Sequence, residues 1–222
     1  MTFSERIRKT ADPIWKASHE HPFVQGIGHG TLDIESFKFF MRQDYKYLIE
    51  YSRVMAMGTV LAPDLDTMSG FAKALDDTLN MEMELHRSYA ERLGISREEL
   101  EATEPGPITH AYSSYMMAEA QKGSLAELIA AILPCAWSYY EIGLELATIP
   151  GATEHEQYGE WVRMYASEEF GAIGDWLIGK LDELAEGKTE AELDRLEAIF
   201  LNTSRYEYMF WDMAYKQEGW PV

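Results

Sequence analysis

Apolar side chains recur at every third or fourth position through most of this 222-residue chain. In residues 34–61 the pattern is carried by Phe37, Phe40, Met41, Tyr45, Leu48 and Ile49. This spacing places the apolar residues on one face of an α-helix. No stretch alternates between apolar and polar residues as a half-buried β-strand does. The pattern therefore predicts an all-α protein.

Helix starts are marked by matches to the capping box, in which a hydroxyl and a carboxylate three residues later each bind an amide. The matches are Thr2–Glu5, Ser96–Glu99, Ser124–Glu127, Thr153–Glu156 and Thr189–Glu192. Glycines and prolines mark the helix ends. Together these signals predict helices over residues 3–18, 34–61, 67–93, 108–121, 125–148, 154–166, 169–185 and 190–215.

The short connections between these segments predict antiparallel packing of neighbouring helices in a bundle. No low-complexity linker and no internal repeat divides the chain. We therefore expect residues 1–222 to form a single all-helical domain of about eight helices.

The charge balance restricts the possible partners. The chain has 19 Lys and Arg residues against 38 Asp and Glu residues, a formal net charge of −19. Such acidity argues against nucleic acid and against a polybasic membrane contact, since both need clustered basic residues. The longest apolar run, Leu128–Trp137, has ten residues, about half of a membrane span. One cysteine permits no intrachain disulfide, and the charged N-terminus is unlike a signal peptide. We expect a soluble cytoplasmic protein.

The sequence does not favour a metal or nucleotide site. A ferritin-like di-iron bundle needs two Glu-x-x-His motifs, and this chain has none. The nearest approach is Glu82 and His86, spaced by four residues, which is more often simple pairing on a helix surface. There is no Cys/His cluster and no glycine-rich phosphate loop. No cofactor is predicted.

The only cysteine, Cys135, follows Pro134 inside a segment that is predicted to be helical. Proline removes a backbone hydrogen bond there and predicts a local kink. A lone cysteine in an apolar helix is usually a small buried hydrophobe, whereas a nucleophilic cysteine needs a partner that moves protons. No histidine lies near Cys135 in the sequence, so the residues alone leave both interpretations open.

Acidic residues lie among aromatic ones at two places. Asp44 shares a helix face with Tyr47, and Glu207 lies within the most aromatic stretch of the chain. The chain has 28 aromatic residues in all (6 Trp, 13 Tyr and 9 Phe), which suit either an aromatic core or a pocket that stacks a flat ligand. Burial among aromatic rings raises the pKa of a carboxyl group and favours proton donation. A solvent-facing carboxylate beside core aromatics is the alternative.

Several motifs in order along nearly the whole chain resemble those of the TenA family, the thiaminase II or aminopyrimidine aminohydrolase proteins. The motifs are Gln43-Asp44-Tyr45-Lys46-Tyr47-Leu48, Leu133-Pro134-Cys135 and Glu207-Tyr208-Met209-Phe210-Trp211-Asp212-Met213-Ala214. Their joint occurrence makes the match specific and favours functional roles for Cys135 and Glu207.

The resemblance implies a fold similar to that of haem oxygenase, without haem, and assembly as a homotetramer. It implies hydrolysis of 4-amino-5-aminomethyl-2-methylpyrimidine to hydroxymethylpyrimidine and ammonia, and cleavage of thiamin to hydroxymethylpyrimidine and thiazole. Both reactions serve thiamin salvage and use no cofactor or metal.

The resemblance also implies roles for seven residues. Cys135 matches the nucleophile and Glu207 the acid, while Asp44 matches the carboxylate that holds the exocyclic amine of the pyrimidine. The matching pocket aromatics are Tyr47, Tyr112, Tyr139 and Tyr165. Two alternatives remain: a cofactor-binding oxidoreductase of the same fold, similar to pyrroloquinoline-quinone synthase, and a non-catalytic regulatory protein that binds thiamin or a pyrimidine.

Overall fold

The computed structural model describes all residues from Met1 to Val222, and they form helices and turns without a β-strand. The α-helices are α1 (Phe3–His19), α2 (Pro22–Gly28), α3 (Ile34–Leu61), α4 (Leu65–Asp77), α5 (Met83–Arg92), α6 (Arg97–Ala102), α7 (Pro107–Lys122), α8 (Leu125–Ala147), α9 (Gly159–Tyr165), α10 (Glu168–Ala185) and α11 (Glu190–Lys216). A π-helical turn, Thr78–Glu82, lies between α4 and α5. The all-α prediction is confirmed.

The predicted capping residues begin several of these helices. Complete capping boxes form at Thr2 and Ser96, and Thr189 exchanges hydrogen bonds with Glu192 in the same way. Each box satisfies amides that would otherwise lack a partner at the start of a helix. The box at Ser96 opens α6, a helix of six residues that the periodicity did not predict.

The structure differs from the predicted helices at three further places. α2 is a short extra helix, which His21 caps and in which Pro22 occupies the first position. The segment predicted over 67–93 is divided by the π-helical turn. The helix predicted from residue 154 begins only at Gly159, because residues 148–158 form turns. The carbonyl of Thr153 approaches the position that a Cβ at residue 159 would occupy, so the tight turn depends on the glycine.

The chain divides into two compact units at three boundaries, of which one lies just before α3 and the other two fall within α8 and α11. That residues 1–222 form a single domain therefore stays a prediction. The first unit comprises residues 1–33 and 129–212. In its core the Trp15 ring stacks on Phe200, meets Trp137 edge-on and donates a hydrogen bond to the Ser204 hydroxyl at 2.9 Å.

The second unit comprises residues 34–128 and 213–222. Its centre is α3, which packs against α4, α5 and α7. A Cβ added at Gly58 of α3 would collide with the ring of Phe71 in α4, so glycine permits the close approach of these two helices. α3 carries the predicted residues Asp44 and Tyr47.

α8 carries Cys135 and is the most apolar helix of the protein. It is long and apolar enough to cross a membrane by length and composition, with a mean hydropathy of 1.2. However, 72% of its apolar window is buried inside the protein. Such burial is typical of a core helix, so this helix is weak evidence for a membrane span. Pro134 lies within the helix, which continues through it.

Candidate active site

Asp44 forms a buried pair with a histidine that lies 42 residues away in the sequence. Its Oδ2 atom is 2.6 Å from Nε2 of His86, on α5. The two residues are 3% and 1% exposed, respectively. On the other side of the imidazole ring, Nδ1 lies 2.9 Å from the main-chain carbonyl oxygen of Glu82, in the π-helical turn. The histidine ring is thus held at both nitrogen atoms.

The environment of His86 favours its protonated form. Burial by itself lowers the pKa of the imidazole, but the hydrogen bond and the negative charge of Asp44 outweigh it, and Glu82 adds to their effect. The net result is a pKa above the ordinary value for histidine. An imidazolium facing a carboxylate also compensates the cost of burying the acid, which is large for an unpaired charge.

This pair corrects the expectation that Glu82 and His86 interact at a helix surface. His86 is buried, and the group of Glu82 that it contacts is the main-chain carbonyl. A signal was present in the sequence, because His86 lies three residues after Met83 and four before Ala90, which are both buried on the same face of α5. A histidine on the apolar face of a helix needs a buried partner, but the sequence does not identify it.

Gln43, next to Asp44, ties α3 to the start of α7. Its side-chain oxygen accepts hydrogen bonds from the amide of Gly106 and the hydroxyl of Thr109, both at 2.7 Å. Its side-chain nitrogen donates to the carbonyl of Glu104 at 3.1 Å. These bonds fix the position of α7, which carries Tyr112.

Tyr47 and Tyr112 come together in the same unit as Asp44. Their ring centres are 5.0 Å apart, and Tyr47 also stacks on Tyr51 at 5.7 Å. The hydroxyl of Tyr47 lies 3.5 Å from the sulfur of Met116. Since α3 places Tyr47 three residues after Asp44, the carboxylate and the tyrosine occupy one face of that helix.

The other four predicted residues lie in the first unit. Cys135 is partly exposed and is not in a disulfide. Tyr139, one helical turn later, is 4.9 Å from Tyr165 and 4.8 Å from Trp211 between ring centres. Glu207 is only 3% exposed and lies one turn before Trp211 on α11. The structure therefore brings Tyr139 and Tyr165 into contact, and it places the acid on the helix that completes this aromatic cluster.

Aromatic clusters of this kind present flat apolar surfaces with few exposed polar groups. Trp161 extends the cluster, with its ring centre 4.5 Å from that of Tyr165. The sequence did not single out Trp161 for a role of its own, although it lies within the aromatic segment of α9. No group of three or more His, Cys, Asp or Glu side chains is placed to hold a metal ion.

Comparison with known proteins identifies the family of this chain. Residues 8–217 match the model of the TENA/THI-4/PQQC family. The chain belongs to this family. It is also 58% identical, over 99% of its length and 98% of the relative, to a protein of Halalkalibacterium halodurans named "Aminopyrimidine aminohydrolase".

Solved structures agree with this assignment. The TenA homologue from P. horikoshii OT3 superposes with a TM-score of 0.87 at 31% identity, covering 98% of this chain and 100% of the homologue. A Shewanella denitrificans OS217 domain, described as having a heme oxygenase-like fold, superposes with a TM-score of 0.74 at 16% identity. That match covers 96% of this chain and 90% of the domain, and it shows the fold alone. The predicted fold class is confirmed.

Proposed function

We propose that this protein is an aminopyrimidine aminohydrolase that removes the exocyclic aminomethyl nitrogen of 4-amino-5-aminomethyl-2-methylpyrimidine as ammonia. The observation that carries the proposal is the 58% identity, over 99% of the chain, to a protein with that name. The prediction of a hydrolase of carbon–nitrogen bonds is confirmed at the level of the enzyme class. The particular substrate and the roles of single residues are parts of the proposal.

Cys135 is proposed to act as the nucleophile. A ring nitrogen of the pyrimidine is first protonated or strongly hydrogen-bonded by the carboxyl group of Glu207, which makes the ring open to attack. The sulfur of Cys135 then bonds to a ring carbon, the electron pair moves toward the methylene carbon, and the bond from that carbon to nitrogen breaks. Ammonia leaves, water adds to the exocyclic alkene, and the bond from sulfur to carbon breaks to release the alcohol.

The positions of the residues support these roles in three ways. Cys135 is partly exposed and so can meet a ligand. Tyr139 and Tyr165 belong to an aromatic cluster suited to stacking on a flat ring. Glu207 is buried, and burial favours the neutral, proton-donating form of a carboxylic acid.

Asp44 is proposed to accept hydrogen bonds from the 4-amino group of the pyrimidine, and Tyr47 and Tyr112 to line the ring. The pairing of Asp44 with His86 supports its role as a carboxylate. We further propose cleavage of thiamin to hydroxymethylpyrimidine and thiazole, a role in thiamin salvage in the cytoplasm, and assembly as a homotetramer.

The test is a parallel incubation of the purified protein with aminomethylpyrimidine and with thiamin, followed by chromatography of ammonia, hydroxymethylpyrimidine and thiazole. We expect hydroxymethylpyrimidine from both compounds. Tight binding of the pyrimidine without any product would indicate the regulatory alternative. A visible absorption band in the protein as isolated would indicate a cofactor-binding oxidoreductase.

A further inference from the structure

Asp44 has a role in the proposed reaction, whereas the histidine that binds it has none so far. We propose that His86 is a positioning residue that keeps Asp44 an oriented carboxylate, so that the protein selects a 4-aminopyrimidine over its 4-oxo analogue. This inference rests on the proposed function, because it assumes that Asp44 contacts the 4-substituent of the ring.

Nδ1 of His86 carries a proton. This atom lies 2.9 Å from the carbonyl oxygen of Glu82. A carbonyl oxygen can only accept a hydrogen bond, so Nδ1 must carry the proton and donate it. The contact therefore fixes one proton of the imidazole whatever the charge of the ring.

The opposite nitrogen of the ring, Nε2, shares a proton with Asp44. Nε2 of His86 and Oδ2 of Asp44 are 2.6 Å apart, so one proton lies between them. The pair is either an imidazolium with a carboxylate or a neutral imidazole with a neutral acid. The charged groups that act on the ring are Asp44, from α3, and Glu82, from the π-helical turn that precedes α5. Both acids favour the positive ring, and therefore the carboxylate form of Asp44.

The remaining oxygen of Asp44, Oδ1, is not used by the bond to His86. The hydrogen bond to His86 uses Oδ2, and the side chain of Asp44 makes no other hydrogen bond within the protein. As part of a carboxylate, Oδ1 can only accept. It therefore matches an amino group, which donates, and opposes an oxo group, which also only accepts. A mismatch of this kind leaves buried polar groups unpaired and can cost about 10⁴-fold in discrimination.

Without His86 the preference should weaken or reverse. Burial disfavours the charged form of an acid, and the compensating positive charge would be gone. The neutral form of Asp44, which presents a hydroxyl donor, would then be favoured over the carboxylate. A neutral acid can donate to the oxo group, so the basis for selecting the amine would be lost.

The experiment uses two unreactive probes, 4-amino-2,5-dimethylpyrimidine and 2,5-dimethylpyrimidin-4-one, which differ at the 4-substituent and have no leaving group. Dissociation constants are measured by calorimetry at pH 7 for the wild type and for His86→Asn, which is too short to reach Asp44. The preference is the affinity for the amino probe divided by the affinity for the oxo probe. We expect this ratio to fall by at least about tenfold in His86→Asn, as for loss of a charge-assisted hydrogen bond.

A matched variant, His86→Gln, retains a neutral donor with a reach close to that of Nε2. We expect it to recover part of the preference, because it orients Asp44 without supplying charge. It also serves if His86→Asn does not fold. A merely structural role would weaken both probes equally in each variant, and an unchanged ratio in both variants would overturn the inference.

Asp44→Asn separates this inference from the proposed function. If it abolishes the preference while both His86 variants retain it, the role of His86 is wrong and the role of Asp44 stands. If Asp44→Asn itself leaves the ratio unchanged, Asp44 does not read the amine, and that part of the proposed function fails together with the inference. In the double variant Asp44→Asn/His86→Asn we expect the same ratio of affinities as in Asp44→Asn alone, because His86 acts through Asp44.

Discussion

The buried pair of Asp44 and His86 predicts how replacement of the acid changes stability with pH. We expect Asp44→Ala to lower the free energy of unfolding, and to lower it more at pH 6 than at pH 9. Both side chains are almost fully buried, with 5% and 1% exposed. Solvent therefore screens the interaction little, and removal of one partner leaves the other in an apolar environment.

The sign follows from the pKa of His86 in the folded protein. Burial lowers it, but Asp44 outweighs burial and raises it above the ordinary value, which is about 6.5. A group whose pKa rises on folding contributes stability that is fully present below its unfolded pKa and is lost as the pH rises through its folded pKa. In Asp44→Ala the two effects of Asp44 are lost, and burial, the largest single effect on His86, is opposed only by the smaller effects of Glu82. Protonation of His86 at low pH then opposes folding. At pH 6 the stability that the wild type gains from protonated His86 and the stability that the variant loses by protonating it add together. At high pH neither protein protonates His86 and both contributions disappear.

The loss of stability in Asp44→Ala has an expected size and an expected limit to its change with pH. Breaking a buried ion pair by removing one partner costs about 3–5 kcal/mol. We expect Asp44→Ala to cost nearly this much at pH 6. Only one proton is involved on His86 in each protein. The cost therefore changes by no more than about 1.4 kcal/mol per pH unit over any range in which that proton is bound by one protein and not by the other.

The assay is equilibrium unfolding in urea at pH 6 and pH 9, at one fixed protein concentration because assembly adds to apparent stability. The control is Glu141→Gln, which breaks the partly exposed ion pair between Arg8 and Glu141. The reference pKa values of carboxyl and guanidinium groups lie outside the range from pH 6 to pH 9, so the cost of this control substitution should not depend on pH. A cost of Asp44→Ala that is equal at both pH values, or larger at pH 9, would refute the reasoning.

Three further predictions address the chemistry and the packing. Glu207→Gln keeps the shape but cannot deliver a proton, so it should reduce single-turnover rates at saturating aminomethylpyrimidine by about 10²–10⁴-fold; a wild-type rate would make Glu207 a binding residue. Asp44→Asn should weaken affinity more than it slows the same reaction. Gly58→Val should force α3 away from Phe71 and lower the free energy of unfolding by about 1–3 kcal/mol, measured in urea, and an unchanged value would contradict the close packing.

Much of the fold could be predicted from local signals. Long helices such as α3 repeat their apolar spacing over several turns, and a capping residue such as Thr2 marks the start of α1. α2 was missed because seven residues are too few to establish a helical period. The π-helical turn was missed because it interrupts an otherwise continuous helical pattern without a glycine or proline.

The candidate site depended on information that periodicity does not contain. Cys135 and Glu207 were selected because their motifs resemble those of a known family, since spacing alone left a buried or a surface role open. The pairing of Asp44 with His86 arises from the packing of α3 against α5. Such a contact depends on tertiary structure, and a single sequence does not reveal it.

The central claim is that this protein hydrolyses aminomethylpyrimidine by covalent catalysis through Cys135. The most direct measurement is the amount of ammonia and hydroxymethylpyrimidine released by the wild type and by Cys135→Ser, which is nearly isosteric but lacks an accessible anion near neutral pH. We predict equal amounts of both products from the wild type. We predict that the serine variant still binds the pyrimidine and loses nearly all turnover, as expected when a nucleophile is removed. Absence of both products from the wild type, or more than about 10% of its rate in the variant, would contradict the account.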